Sequence, residues 1–416
     1  MARSRHPILR AIPRAAPSVR RMDLSVYDPH DPLAETAERR QLRDTVRALV
    51  RDVSPHERTQ ALDDAEQFDD ELYARLAELG VLAIDAPESS GGSGDLRDQM
   101  VVIEELAAGP TSMAAFLIVQ YMIIQVLGTY ASNDDQRQVL EDLVHGRTKV
   151  SFSMSEPDGG TDVARAMKTR ASRTEAGGWR INGTKLWTSG ATRADRLVVI
   201  ARTRQPERSS IDGVTMLLVP TNAPGVTVRE VATFGIHGLS TCEIAFDDVE
   251  VGPDALIGTE HNGFRQAFGT LNREGIIAAA ACVGVARGAL EYAAAYAKQR
   301  EVFGKPIGAF QVPQHWLADG AVRLEAARSL AGRAVEIEVA GGDAGLLAQM
   351  AKLVASECAQ HITLSGMQLM GGFGFSRELP MQRWFRDVRL WSFAPLNNEM
   401  VRNRIGEQLL GLPRSY

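Results

Sequence analysis

The hydrophobic positions along the chain change their period twice. From about Ala34 to Thr148 apolar residues recur at helical spacing. Leu42, Val46, Leu49, Val50 and Val53 fall on one face, with arginines and acids between them. Leu72, Leu76 and Leu79 repeat the spacing, and Gly80 supplies a C-terminal stop. Met113 to Leu127 is apolar on nearly every face, which predicts a buried helix rather than a surface one. Between about Val150 and Val251 the segments shorten and become β-rich: RLVVIART, VTMLLVP, VTVREV and TCEIAFDDVEV. Asn182-Gly183, set between WRI and TKLW, predicts a hairpin, since both turn positions tolerate positive φ. No helix-length crossover separates these strands, so the expected sheet is antiparallel. From about Asn262 helical spacing returns, running through Glu291 to Arg300, Pro313 to Val339 and Ala344 to Met370. Gly341-Gly342-Asp343 marks the turn between the last two. The expected fold is mainly α with an inserted β-domain. The expected domains are an Arg-rich, disordered extension over residues 1–33, a helical domain over 34–149, a middle antiparallel β-domain over 150–258, and a C-terminal helical bundle over 259–416.

Composition changes this picture little. The chain has 416 residues, enough for more than one core, and its 44% hydrophobic and 24% charged content is that of an ordinary globular protein. A net charge of −6 with no recurrent basic stripe offers no footprint for nucleic acid. Cys242, Cys282 and Cys358 are too few and too scattered for a disulfide framework or a zinc cluster, so no metal is expected and a reducing cytoplasm fits. The first 21 residues, MARSRHPILRAIPRAAPSVRR, carry six arginines and no acid. Such a start also suits an organelle transit peptide and a mitochondrial matrix location, although its three prolines oppose an amphipathic helix. No run of about 18 continuous apolar residues suggests a membrane span.

Four stretches carry chemistry. In FSMSEPDGGTDV, residues 152–163, Met154 and Ser155 end a strand, and Gly159-Gly160-Thr161 can present backbone N–H groups to a phosphate or carbonyl. TKLWTSGATRAD, residues 184–195, sets Trp187 and Thr188 on a strand. The third is RxxFGKPI, residues 300–307, followed by Gln311. The fourth is QLMGGFGF, residues 368–375, followed by PMQRWFRD, residues 380–387; GGxG after a helix can approach a pyrophosphate closely. Singly, each is a loop or a core strand. In this order and at these separations they resemble the acyl-CoA dehydrogenase flavoproteins, and the resemblance runs from about Ala34 to Arg414, through ELYARLAELGVLAIDAPESSGGSG to the LLGLPR ending.

That resemblance implies an N-terminal helical domain, a middle β-domain and a C-terminal four-helix bundle, assembled as a homotetramer with one FAD per subunit. It implies that Met154 and Ser155 face the pyrimidine edge of the flavin, that Trp187 and Thr188 flank the ring, and that Thr161 lies near the pantetheine or the flavin phosphates. Arg300, Phe303 and Gln311, with Gln368, Gly371, Gly372 and Gly374, would hold the adenosine end of a neighbour's FAD. The implied substrate is an acyl-CoA or a carrier-bound acyl thioester, and the implied electron acceptor an electron-transferring flavoprotein. A carboxylate removes the α-proton while a hydride leaves the β-carbon for the flavin.

The resemblance breaks where the base should be. The family's Tyr-Glu-Gly-Thr segment after Arg386-Asp387 is here Ala394-Pro395-Leu396-Asn397. Proline cannot accept a proton. Glu399 matches a later acidic or amide position of the family, toward the flavin. Some members carry the base on the long C-terminal helix instead, in an L-x-x-E-R context. LNREG, residues 271–275, places Glu274 there, with Asn272 for the family's Asp and Gly275 for its Arg, both near the expected CoA contacts. The alternative reading of the stretch is a helix cap at Asn272 with Glu274 in the first turn, favoured by the helix dipole. Three functions follow. Glu274 is the base of a thioester dehydrogenase; or the chain is a flavin-binding subunit lacking its own base, partnered by a catalytic paralogue in a heterotetramer; or it runs a different flavin reaction, such as enone reduction, oxidation or hydroxylation. Trp391, Phe393 and Pro395 either close the acyl cavity or pack the bundle.

Overall fold

The computed structural model describes residues 35–269 and 271–414; the arginine-rich N-terminal extension lies outside the described residues. The N-terminal part is helical: α1 (Ala37–Val53), α2 (His56–Asp64), α3 (Asp70–Glu78), α4 (Leu96–Ala107), α5 (Thr111–Tyr130) and α6 (Asp134–Val144). α3 stops where the glycine predicts, with Gly80 at φ 76°. α5 is buried along most of its length, as its unbroken apolar run requires.

The middle part holds β1 (Val150–Ser153), a single turn α7 (Val163–Ala166), β2 (Arg170–Arg173), β3 (Trp179–Ser189), β4 (Arg196–Arg202), β5 (Val214–Pro220), β6 (Val226–Val231), β7 (Thr241–Val251) and β8 (Leu256–Ile257). The strand order is β6-β7-β3-β2-β4-β5-β8, with β1 laid on β4. Pairing is antiparallel except where β1 and β2 meet β4 in parallel. β4 is apolar between its terminal arginines, Arg196 and Arg202, because both its faces are covered. Leu197, Val199 and Ala201 join Trp179, Ile181 and Leu217 in a core of the sheet's own, while Val198 and Ile200 join the helical core.

The hairpin expected at Asn182-Gly183 is absent: β3 runs straight through both residues. Pairing with β7 slips between Ile181 and Gly183, so the pair forms a bulge and not a turn. Gly183 sits at φ +142°, and a Cβ there would lie 2.6 Å from Thr169 Cα. The Asn182 side chain exchanges two 2.9 Å hydrogen bonds with Asp248 of β7, accepting from its backbone N–H and donating to its carboxylate. The positive-φ tolerance that signals a turn serves a bulge equally well.

The C-terminal part comprises α8 (Gly263–Phe268), α9 (Leu271–Gln299), a small ribbon of β9 (Glu301–Val302) and β10 (Lys305–Pro306), α10 (Gln311–Val339), α11 (Gly345–Met370), α12 (Gly372–Phe375), α13 (Met381–Asp387) and α14 (Asn398–Arg404). α9, α10 and α11 pack together, with α4 of the N-terminal part against α9. α5 and the span Gly263–Gln299 are long and apolar enough to cross a membrane, yet 72% and 89% of their apolar windows lie inside the protein, so both serve as core helices. Charge also crosses the α4–α9 contact. Glu104 and Glu105 of α4 meet Arg43 and Arg47 of α1, Arg287 of α9 and Arg328 of α10, at 2.6 Å for Arg43–Glu105 and 2.7 Å for Arg328–Glu104. The Arg386-Asp387 pair clamps all three parts. Asp387 accepts from the Ile236 backbone N–H at 2.6 Å, and Arg386 pairs with Asp63 of α2 at 2.6 Å.

Candidate active site

The end of β1 is held from beneath. Lys185 of β3 is fully buried, and its ammonium donates to the Met154 carbonyl at 2.9 Å and to Glu156 at 2.8 Å. Burial draws Lys185 down to about 8, against the pull of Glu156. Burial alone would raise Glu156, but the Lys185 ammonium and the amides of Lys168 and Thr169 hold it below the usual carboxylate range. The Ser155 carbonyl accepts from the Leu186 N–H at 2.8 Å. Both carbonyls are thus engaged inward, and among the described residues no protein group takes up the Ser155 amide or hydroxyl. This is a donor edge facing outward.

Beside it, β3 slips against β7 a second time, between Lys185 and Thr188. The slip throws Trp187 outward at φ 65° with 58% of its surface exposed, while Thr188 turns inward and donates to Ser153 at 3.2 Å. An indole left largely bare beside free hydrogen-bond donors is an open stacking surface.

Thr161 is reached from the far end of the chain. The Asn397 amide donates to its hydroxyl at 2.7 Å, and the Asn397 side-chain oxygen caps α14 through the Met400 N–H at 2.7 Å. Glu399, in the first turn of α14, is exposed. Trp391 is buried in the bundle core, whereas Phe393 is 61% exposed.

Glu274 lies in the first turn of α9. Asn272 lies inside the described helix, and its side chain bonds Glu338 of α10 rather than capping. Arg273 pairs with Asp85 of the N-terminal part, and Gly275 is buried against Ala348 of α11. At 100° per residue these three occupy the sectors toward the bundle and the N-terminal part, leaving Glu274 the remaining one. Its carboxyl keeps some surface open but is ringed by protein with no ionic partner among the described residues, and burial pushes it up to about 7.

The third group sits elsewhere. Arg300 follows α9 and lies over the Phe373 ring at 5.9 Å, which joins the RxxFGKPI ribbon to Gly371-Gly372-Phe373-Gly374. Phe303 is 94% exposed, Gln311 and Gln368 are exposed, and Gly371 and Gly372 present bare backbone to open space. Arg300 lies 26 residues beyond Glu274, so at about 1.5 Å each α9 puts roughly 39 Å between this group and Glu274.

The three parts correspond to three family models: Acyl-CoA dehydrogenase, N-terminal domain over residues 36–147, middle domain over 151–249, and C-terminal domain over 261–410. Acyl-CoA dehydrogenase FadE12 of Mycobacterium tuberculosis is 31% identical over 387 residues, which cover 92% of this chain and 98% of that protein. The chain belongs to the acyl-CoA dehydrogenase family. Members are FAD-dependent oxidoreductases acting on CH–CH bonds. Among solved structures of this family, butyryl-CoA dehydrogenase from Megasphaera elsdenii matches with a TM-score of 0.85 at 29% identity, over 91% of this chain and 99% of that one. A glutaryl-CoA dehydrogenase from Mycobacterium smegmatis in complex with FADH2 matches with a TM-score of 0.85 at 28% identity, over 93% and 98%.

This acyl-CoA dehydrogenase family member has surfaces that fit a flavin. The free Ser155 donors suit the polar edge of an isoalloxazine, Trp187 its plane, and the open Gly371-Gly372 backbone with Phe303 an adenosine end. Two groups that shape the site were not legible as such in the sequence. Lys185 alternates with apolar neighbours on a strand, and Lys352 interrupts the apolar run AKLVA of α11, signals any surface lysine also gives. Burial alone distinguishes them.

Proposed function

We propose that this chain is an FAD-dependent dehydrogenase of an acyl thioester in which Glu274 takes the α-proton. The observation that carries the reading is the Glu274 carboxyl itself, pushed up to about 7 with no ionic partner among the described residues, while Pro395 stands where the usual base would be. A carboxyl titrating near neutrality is populated as a base at working pH and still binds a proton strongly once it receives one. The Ser155 amide and hydroxyl stabilise charge on the flavin's pyrimidine edge, Met154 lines the same edge, and Trp187 flanks the ring. Thr188, buried and turned onto Ser153, backs the strand behind it instead of flanking the ring as the resemblance implied. FAD, when bound, supplies the two-electron oxidant for the β-hydride. Thr161 borders the thioester and its pantetheine, and Asn397 and Glu399 close the site from the C-terminal side. Asn272 and Gly275, turned toward α10 and α11, hold the turn that presents Glu274 instead of lining the substrate as the resemblance implied. The pantetheine is carried by CoA or by a carrier protein.

The length of α9 supports an assembly. Arg300, Phe303, Gln311, Gln368, Gly371, Gly372 and Gly374 lie too far from Glu274 to share one flavin with it, so they serve the FAD of a neighbouring subunit. The electron acceptor in this reading is an electron-transferring flavoprotein.

Anaerobic titration with short, branched, long and ring-containing acyl-CoA thioesters, followed at the flavin absorbance band, tests the reading. The expected result is bleaching with a charge-transfer band, lost in Glu274→Gln by at least about a thousandfold in rate while FAD stays bound. Undiminished bleaching in that variant removes Glu274 from the role. A yellow wild-type protein that no thioester bleaches points instead to a base-less subunit with a catalytic paralogue, or to another flavin reaction. A colourless protein that takes up no FAD overturns the reading altogether.

A further inference from the structure

α11 carries a full positive charge into the bundle. Lys352 is 2% exposed, among Ala351, Leu353, Val354 and Ala355. A buried ammonium is costly unless its protons find acceptors. Lys352 finds two, both on the segment that leads into α14: the Leu396 carbonyl at 2.7 Å and the Asn398 side-chain oxygen at 3.0 Å. Asn398, itself 5% exposed, donates to Ser356 at 3.0 Å, one turn along α11 from Lys352. The other titratable groups acting on the amine are Cys282 of α9 and Glu399, and burial draws it down to about 8.

Apart from the bonds of Asn397 to Thr161, Met400 and Val401, the segment it grips is not anchored, among the described residues, through its own backbone donors. The Pro395 nitrogen carries no hydrogen, and among the described residues the Leu396 and Asn397 amides make no backbone hydrogen bond. Leu396 and Asn398 bracket Asn397, the residue that reaches across to Thr161. Lys352 is one turn beyond Ala348, against which Gly275 packs, so the gripped segment lies at the Glu274 end of the bundle.

We propose that Lys352 is a positioning residue: through the Leu396 carbonyl and Asn398 it fixes the 396–399 segment so that Asn397 docks on Thr161 and Glu399 closes the cofactor side of the site. Lys352 itself touches neither cofactor nor substrate. The part of this inference that concerns the cofactor rests on the flavin reading given above.

The test compares wild type, Lys352→Met and Asn398→Ala as purified full-length proteins. Lys352→Met keeps the length of the side chain and removes its charge; Asn398→Ala breaks the same grip from the other side and serves if the first variant does not fold. Two readouts are taken: amide hydrogen exchange over residues 158–163 and 396–401, and the FAD dissociation constant by fluorescence quenching. The expected result is at least about tenfold faster exchange confined to those two segments, the scale of a lost charge-assisted hydrogen bond, and FAD bound about tenfold more weakly. A residue that merely stabilises the bundle would instead speed exchange along α9 and α11 and leave FAD affinity unchanged. Unchanged exchange at 396–401 in a folded variant overturns the proposal whether or not FAD binds. Faster exchange with FAD affinity within twofold of wild type overturns its cofactor part, and wild-type protein that binds no FAD overturns the flavin reading along with it.

Discussion

At the scale of single residues, Glu274 makes the sharpest demands. Its folded carboxyl titrates at about 7 against an ordinary 4.5, because burial disfavours the charged form. Two consequences have opposite signs. Turnover needs the carboxylate, so kcat is expected to rise with pH through about 7 and to level off above it; a flat profile from pH 6 to 8 would count against Glu274 as the base. Stability runs the other way. Protonation favours the fold, so this contribution is complete below the ordinary Glu range and is lost as pH rises through about 7. Glu274→Gln cannot titrate and should gain on wild type in chemical denaturation between pH 5 and 8, by up to about 3 kcal/mol. A variant that is more stable yet inactive is what a group held for chemistry rather than for folding would give.

Among elements, β3 shows how local signals are reused. It passes Asn182-Gly183 as a bulge and slips again before Thr188, and the second slip is what exposes Trp187. Gly183→Ala has no room, since its Cβ would meet Thr169 at 2.6 Å and its φ of +142° suits only glycine. A loss of roughly 2–4 kcal/mol is expected in thermal or denaturant unfolding. The long helices were legible in the sequence because a 3.6-residue period sustained over 20 or more residues fits a helix and neither a strand nor a loop. The Asn-Gly pair was not, because turn and bulge ask the same thing of a backbone. The site divides in the same way. The motifs around Met154, Trp187, Arg300 and Gly371 could be recognised by residue type and order. The amine under Met154 could not, because nothing in the sequence separates a lysine inside a sheet from one on its surface.

For the whole molecule, the union of the N-terminal helices with the bundle rests partly on buried charge. Glu104 and Glu105 lie beneath four arginines; burial would raise Glu104, but Arg328, Arg43 and Arg287 hold it well below the usual carboxylate range. That contribution is present above the ordinary Glu range and is lost as pH falls below it. The protein should therefore become less stable between pH 5 and 3, as the melting temperature would record. Arg287→Met leaves buried carboxylates short of a partner and should cost about 3–5 kcal/mol at neutral pH.

The span of α9 has a genetic consequence. If each flavin is held by the Glu274 end of one chain and the Arg300 end of its neighbour, two separately dead alleles need not make a dead mixture. In a pairing of a Glu274→Gln chain with an Arg300→Ala chain, one site inherits both lesions and the other inherits neither. Co-expression should then restore activity to a cell that neither allele sustains alone.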